Sequence, residues 1–125
     1  MGMKSRTSAE VTIYHNPNCS TSKHALTVAE GMNVAYREVR YLKDKPDRAT
    51  LEHLVTIIAD PVEDLIRKDS RFKKLGLNAS DYVGKPEAVV DLLSEHIALL
   101  QRPILVRGER AIIGRPKSRV DEFLA

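Results

Sequence analysis

A single cysteine, Cys19, stands in Ile13-Tyr14-His15-Asn16-Pro17-Asn18-Cys19-Ser20-Thr21-Ser22-Lys23, where a short apolar run gives way to a polar turn and then to helix-forming residues. A thiol at such a junction meets the unpaired backbone N–H groups of the first helical turn and the positive end of the helix dipole. Both favour thiolate over thiol. A free cysteine is often only a small buried hydrophobe. Here the neighbours Asn16, Asn18, Ser20, Thr21, Ser22 and Lys23 are too polar for a core, and they point to a reactive thiol instead. Ser20 and Thr21 are placed to cap the helix or to donate to the sulfur, and Lys23 adds positive charge within a turn. His15, at the end of the apolar run, is positioned either to tune the thiolate or to hydrogen-bond within its own turn. His24, His53 and His96 fall in predicted helices without metal-ligand spacing to Cys19, so no metal site is expected.

Two arginines extend this chemistry. Each directly precedes a proline, in Gln101-Arg102-Pro103 and Gly114-Arg115-Pro116, and together they bracket a predicted hairpin. Residues equally far before and after a hairpin turn meet at its open end, so Arg102 and Arg115 form a candidate anion clamp. The planar guanidinium fork suits a tetrahedral oxyanion because it bonds two oxygens at once. Pro103 precedes a strand, where a cis peptide turns the backbone sharply. Arg67, in Leu65-Ile66-Arg67-Lys68, follows an apolar stretch and can reach inward. Its neighbours Lys68, Arg71, Lys73 and Lys74 by themselves read as a solvated basic face.

What is missing narrows the class. A phosphatase-type anion loop needs an arginine six positions after its cysteine, and Ala25 stands there. A dithiol oxidoreductase needs a second cysteine at position 22, which is serine. The chemistry left is that of a monothiol nucleophile, attacking an oxyanion or a disulfide and relying on an external thiol for turnover.

The elements that must position these groups follow from pattern. Val11–Tyr14 reads as a strand, His15–Asn18 as a turn begun by Asn16-Pro17, and Ser20–Glu30 as a helix stopped by Gly31. Val34–Val39 reads as a second strand, giving a βαβ unit with a parallel pair. Leu51, Leu54, Val55 and Ile58 recur with helical spacing after Pro46-Asp47. A short helix is expected from Asp60-Pro61, an irregular polar stretch over Lys68–Gly84 with one helical turn before Gly76, and a strong helix from Pro86 towards Leu100. Ile104–Val106 and Ala111–Ile113 form a hairpin centred on Gly108, followed by a helix over Lys117–Leu124. The order βαβ, helical segment, ββα predicts an α/β thioredoxin-like fold with a helical insertion between its halves. Residues 1–10 are expected to be a flexible tail and 11–125 a single domain.

Composition bounds the rest. At 125 residues the chain is long enough for one core, and a net charge of +3 permits an anionic small molecule without arguing for nucleic acid. Trp is absent and Tyr and Phe total six, so no base-stacking platform is evident. One cysteine excludes an internal disulfide. Residues 1–10 lack the apolar segment of a signal peptide, Arg6 breaks a myristoylation pattern, and no apolar run is long enough to span a membrane. A cytoplasmic chain acting as a monomer, with neither nucleic acid nor membrane as partner, is the expectation.

Taken together, Tyr14–Lys23, Leu65-Ile66-Arg67-Lys68, Gln101-Arg102-Pro103-Ile104 and Ile113-Gly114-Arg115-Pro116 resemble the glutaredoxin-coupled arsenate reductases, the ArsC family, in unbroken order from Val11 to Leu124. The resemblance implies that Cys19 attacks arsenate to give a covalent thioarsenate, that glutathione then acts as co-substrate, and that glutaredoxin completes the reduction to arsenite. It implies no tightly bound cofactor. It assigns His15 to support of the thiolate, Arg67, Arg102 and Arg115 to the oxyanion, and a cis Pro103 to the neighbourhood of Cys19, with Ser20, Thr21 and Ser22 in support. Two positions depart from the frequent pattern: Ser20 replaces a common glycine and Lys23 a common arginine. Related readings are an ArsC-like paralogue acting on another oxyanion or thiol-linked substrate, and an Spx-type regulatory module. Ser22 at the dithiol position disfavours redox switching of the Spx kind.

Overall fold

Alternation along Val11–His15 sends Val11 and Ile13 to one face of a sheet and Tyr14 to the other, and both faces become covered. The computed structural model describes residues 10–125, so positions 1–9 of the expected tail lie outside the described residues. Four strands are ordered β2-β1-β3-β4, with β1 (Val11–His15) inside the sheet. It runs parallel to β2 (Tyr36–Arg40) and antiparallel to β3 (Ile104–Arg107), which continues into β4 (Arg110–Ile113). The turn between β3 and β4 has two residues, with Gly108 at φ 62°, a backbone state open to glycine at the first central position of a type II′ turn.

Helix α1 (Ser20–Gly31) makes the crossover from β1 to β2, and α5 (Ser118–Leu124) packs beside it. Ala25 and Ala29 from α1 and Val120, Phe123 and Leu124 from α5 cover Ile13 and Leu105 on this face. The insertion covers the other face. Its helices α2 (Arg48–Ile57), α3 (Ser70–Lys74) and α4 (Pro86–Glu95) bring Leu51, Leu54, Phe72, Val89 and Leu93 against Tyr14, Ile104 and Ile113. This is the α/β thioredoxin-like arrangement with an inserted helical segment that the element order predicted. Among the described residues, no helix is long and apolar enough to cross a membrane.

Local departures from the sequence expectation have physical causes. Gly31 does not stop α1. The helix runs through it and ends where Asn33 takes a left-handed φ of 57°, with Val34 N donating to Ala29 O. Asparagine tolerates that conformation, so it serves as the terminator. The region expected to be mostly irregular contains α3 and a 3₁₀ turn (Ala79–Tyr82), started by Asp69 and Asn78, whose side chains accept from Phe72 N and Ser80 N. Such elements are too short to carry periodicity; their caps create them. Helix α4 ends at Glu95, and a 3₁₀ turn (Ile97–Leu99) carries the apolar pattern onward into the core.

Candidate active site

Cys19 is the N-cap of α1, with extended backbone and its carbonyl accepting from Lys23 N at 2.9 Å. Neither Ser20 nor Thr21 caps the helix, contrary to the expectation, because Cys19 occupies that position itself. Ser20 is exposed, while the backbone N–H groups of Ser22 and Thr21 bear on the sulfur. Burial pushes the Cys19 thiol up, but the Arg102 guanidinium and these two N–H groups outweigh it. The net direction is down, towards thiolate.

The two proline-flanked arginines meet. Ile104 pairs with Ile113 in the hairpin, so Arg102 and Arg115 lie equally far past its open end. Arg115 Nε donates to the Arg102 carbonyl at 2.7 Å, and Arg115 Nη2 donates to Cys19 Sγ at 3.4 Å. Arg115 therefore makes a directed hydrogen bond to sulfur, while Arg102 is the guanidinium that draws its pKa down. Arg102 Nε is buried without a hydrogen-bond partner among the described residues. The peptides Arg102–Pro103 and Arg115–Pro116 are both cis. Pro103 is buried, and its carbonyl accepts from Gly114 N at 2.8 Å. A Cβ on Gly114 would lie 2.8 Å from Pro103 Cγ, so this approach of the two segments requires glycine.

Arg67 arrives by a different route. Ile66 bridges to Leu100, with Arg67 N donating to Leu99 O and Gln101 N to Leu65 O. This short ladder fastens the Arg67 segment alongside the one that leads into Arg102. The Arg67 guanidinium pairs with Asp69 at 3.1 Å. It shares with Arg102 an influence on the phenol of Tyr41, which burial holds up and the two arginines oppose. Arg102 and Arg115 thus gather at the sulfur, and Arg67 stands at the Tyr41–Arg102 corner.

His15 is buried beneath the loop. Its Nδ1 lies 3.1 Å from Ser22 Oγ and its Nε2 lies 3.3 Å from Glu38 Oε2, so both ring nitrogens are occupied away from Cys19. Burial pushes its pKa down more than Glu38 pushes it up. Ser22 Oγ also accepts from Asn16 N at 2.9 Å. Ser22 therefore supports the loop with its hydroxyl and the sulfur with its N–H. Among the described residues no group of three or more His, Cys, Asp or Glu is placed to hold a metal ion.

Beside Arg115 opens a cleft of about 340 Å³ whose charged lining includes Asp60, Asp64, Lys68 and Arg119. Asp60 joins its wall together, accepting from Ile113 N at 2.9 Å and Arg119 Nη1 at 2.8 Å. Nothing in the sequence marks Glu38, Tyr41, Asp60 or Asp69 as site residues, although Asp60 opens an expected helix. The site partners of Glu38, Tyr41 and Asp60 lie in other segments, while Asp69 has a local one, Arg67 two residues before it.

The sequence pattern of the ArsC family matches residues 14–123. An arsenate reductase of Neisseria meningitidis serogroup A is 32% identical over 117 residues, covering 92% of this chain and 98% of that protein. An arsenate reductase of Rhizobium meliloti is 36% identical over 115 residues, covering 91% and 81%. The solved structure of an arsenate reductase from Vibrio cholerae superposes with a TM-score of 0.77 at 32% identity, covering 90% of this chain and 95% of that one.

Proposed function

The chain belongs to the ArsC family, and from that premise we propose that it is an arsenate reductase with Cys19 as nucleophile and glutathione, coupled to glutaredoxin, as reductant. The observation that carries this reading is the pairing of a thiol biased towards thiolate with Arg115 Nη2 at 3.4 Å and the unpartnered Nε of Arg102 beside it. A buried donor without a partner is costly, and an oxyanion at the sulfur would satisfy it.

The Cys19 thiolate attacks arsenic, forming an As–S bond as one arsenate oxygen leaves as water. Arg102 and Arg115 hold the remaining oxygens and stabilise the charge that develops on them, and Arg67 joins once released from Asp69. A glutathione thiol then attacks the adduct, and glutaredoxin resolves it. In sum two thiols are oxidised to one disulfide, As(V) becomes As(III), and one oxygen departs as water. The reading uses no metal or bound cofactor, and it places the domain at residues 11–125.

The test couples arsenate reduction to NADPH oxidation through glutathione, glutaredoxin and glutathione reductase. A rate well above that of Cys19→Ser is expected. No rate above that control rejects arsenate and turns the same assay to other oxyanions and thiol adducts.

A further inference from the structure

Behind the Cys19 loop a line of polar contacts leads to the edge strand β2. Glu38 Oε2 lies 3.3 Å from His15 Nε2, His15 Nδ1 lies 3.1 Å from Ser22 Oγ, and Ser22 Oγ accepts from Asn16 N at 2.9 Å. The Asn16 carbonyl in turn accepts from Cys19 N at 3.0 Å. His15 and Ser22 are 2% and 0% exposed, so the contact between them is shielded from bulk water, while Glu38 at the end of the line is half-buried.

The chemistry of the groups fixes the direction of the line. A carboxylate only accepts, so the proton of neutral His15 belongs on Nε2. Nδ1 is then bare and accepts from the Ser22 hydroxyl, leaving the Ser22 oxygen to accept from Asn16 N–H. With the proton on Nδ1 instead, bare Nε2 would face Glu38 as two acceptors without a hydrogen between them. Glu38 comes from β2, two residues before Arg40, the register partner of His15. The charged groups bearing on His15 are Glu38 and Arg40 from β2 and Lys23 from α1, and Arg40 Nε also donates to Glu38 at 2.9 Å.

We propose that Glu38 is a positioning residue for Cys19: by holding His15 in its Nε2–H tautomer it orients Ser22 and Asn16, and so sets the loop that presents the sulfur to the Ser22 N–H. This rests on the reading of Cys19 as the nucleophile. Glu38 acts on the thiol through three residues and touches no substrate.

The experiment records the His15 ring nitrogens by ¹⁵N NMR and the rate of Cys19 alkylation by iodoacetamide against pH, in the full chain and in Glu38→Leu and Glu38→Gln. The unsubstituted chain should show the Nε2–H tautomer at neutral pH. Glu38→Leu should give a tautomer mixture and alkylate roughly three- to tenfold more slowly at pH 7, because the thiolate fraction falls. Glu38→Gln keeps an acceptor and should retain the tautomer, while the His15 midpoint falls because the negative charge is gone. An unchanged tautomer and alkylation rate in Glu38→Leu, with only a lower melting temperature, would overturn the proposal. Should Glu38→Leu not fold, an unchanged His15 midpoint in Glu38→Gln would overturn it equally. Neither readout needs turnover, so a failure here is separable from failure of Cys19→Ser to abolish activity.

Discussion

Arg115 binds both halves of the site at once: its Nη2 donates to Cys19 Sγ at 3.4 Å while its Nε donates to the Arg102 carbonyl at 2.7 Å. The thiol at the start of α1 is thereby tied to the open end of the β3–β4 hairpin. Removing the guanidinium affects the sulfur's ionisation and the placement of Arg102 together. Arg115→Ala should raise the Cys19 midpoint and weaken anion binding by about tenfold to a hundredfold, the scale of a lost hydrogen bond to a charged group. Arg115→Lys should recover only a small part, since an ammonium cannot bond sulfur and carbonyl in the same geometry. Alkylation against pH, with and without arsenate, measures both effects.

Cys19 itself should alkylate with a midpoint below the ordinary thiol value of about 8.5, because Arg102 and the Ser22 and Thr21 N–H groups outweigh burial. The rate should rise as pH climbs through that lowered midpoint and then level off. Arsenate, phosphate or sulfate should protect the thiol by occupying the arginines. An ordinary midpoint without protection would contradict the oxyanion reading.

Gly114 sets the spacing between the two proline-flanked segments. In Gly114→Ala the new methyl would meet Pro103 Cγ at 2.8 Å and Leu105 and Val120 side chains at 3.0 Å. Overpacking of this kind costs about 1–3 kcal/mol. Urea unfolding should show that loss, and anion protection of Cys19 should weaken with it, since Pro103 adjoins Arg102. A variant of unaltered stability would show that the hairpin relaxes freely.

His15 gives stability a pH dependence of definite sign. Burial holds its folded pKa below the ordinary value, so the unfolded chain takes up the proton more readily. Stability contributed by this group is complete above about 6.5, the unfolded value, and declines as pH falls towards the folded midpoint. The stability of the unsubstituted chain should therefore fall more between about pH 7.5 and 5.5 than that of His15→Gln. Equal losses in the two proteins would dissociate His15 from the acid limb.

The path from sequence to site was legible where the signals are local. The strand, the Asn16-Pro17 turn and the helix beginning beyond Cys19 follow from short-range pattern and capping chemistry. The hairpin around Gly108 and the symmetric places of Arg102 and Arg115 follow from the geometry of an antiparallel pair. The absence of a second thiol and of an arginine at position 25 needs no structure at all. Those features alone determined a monothiol at a helix N-terminus facing two arginines. Tertiary structure decided what chemistry stands behind and beside them. It turned His15 towards Glu38 on the neighbouring strand, and fastened the Arg67 segment beside the one that leads into Arg102. The His15–Glu38 contact depends on which strands pack together, because a buried polar group takes whichever partner the neighbouring strand delivers, and nothing within a few residues of His15 names Glu38.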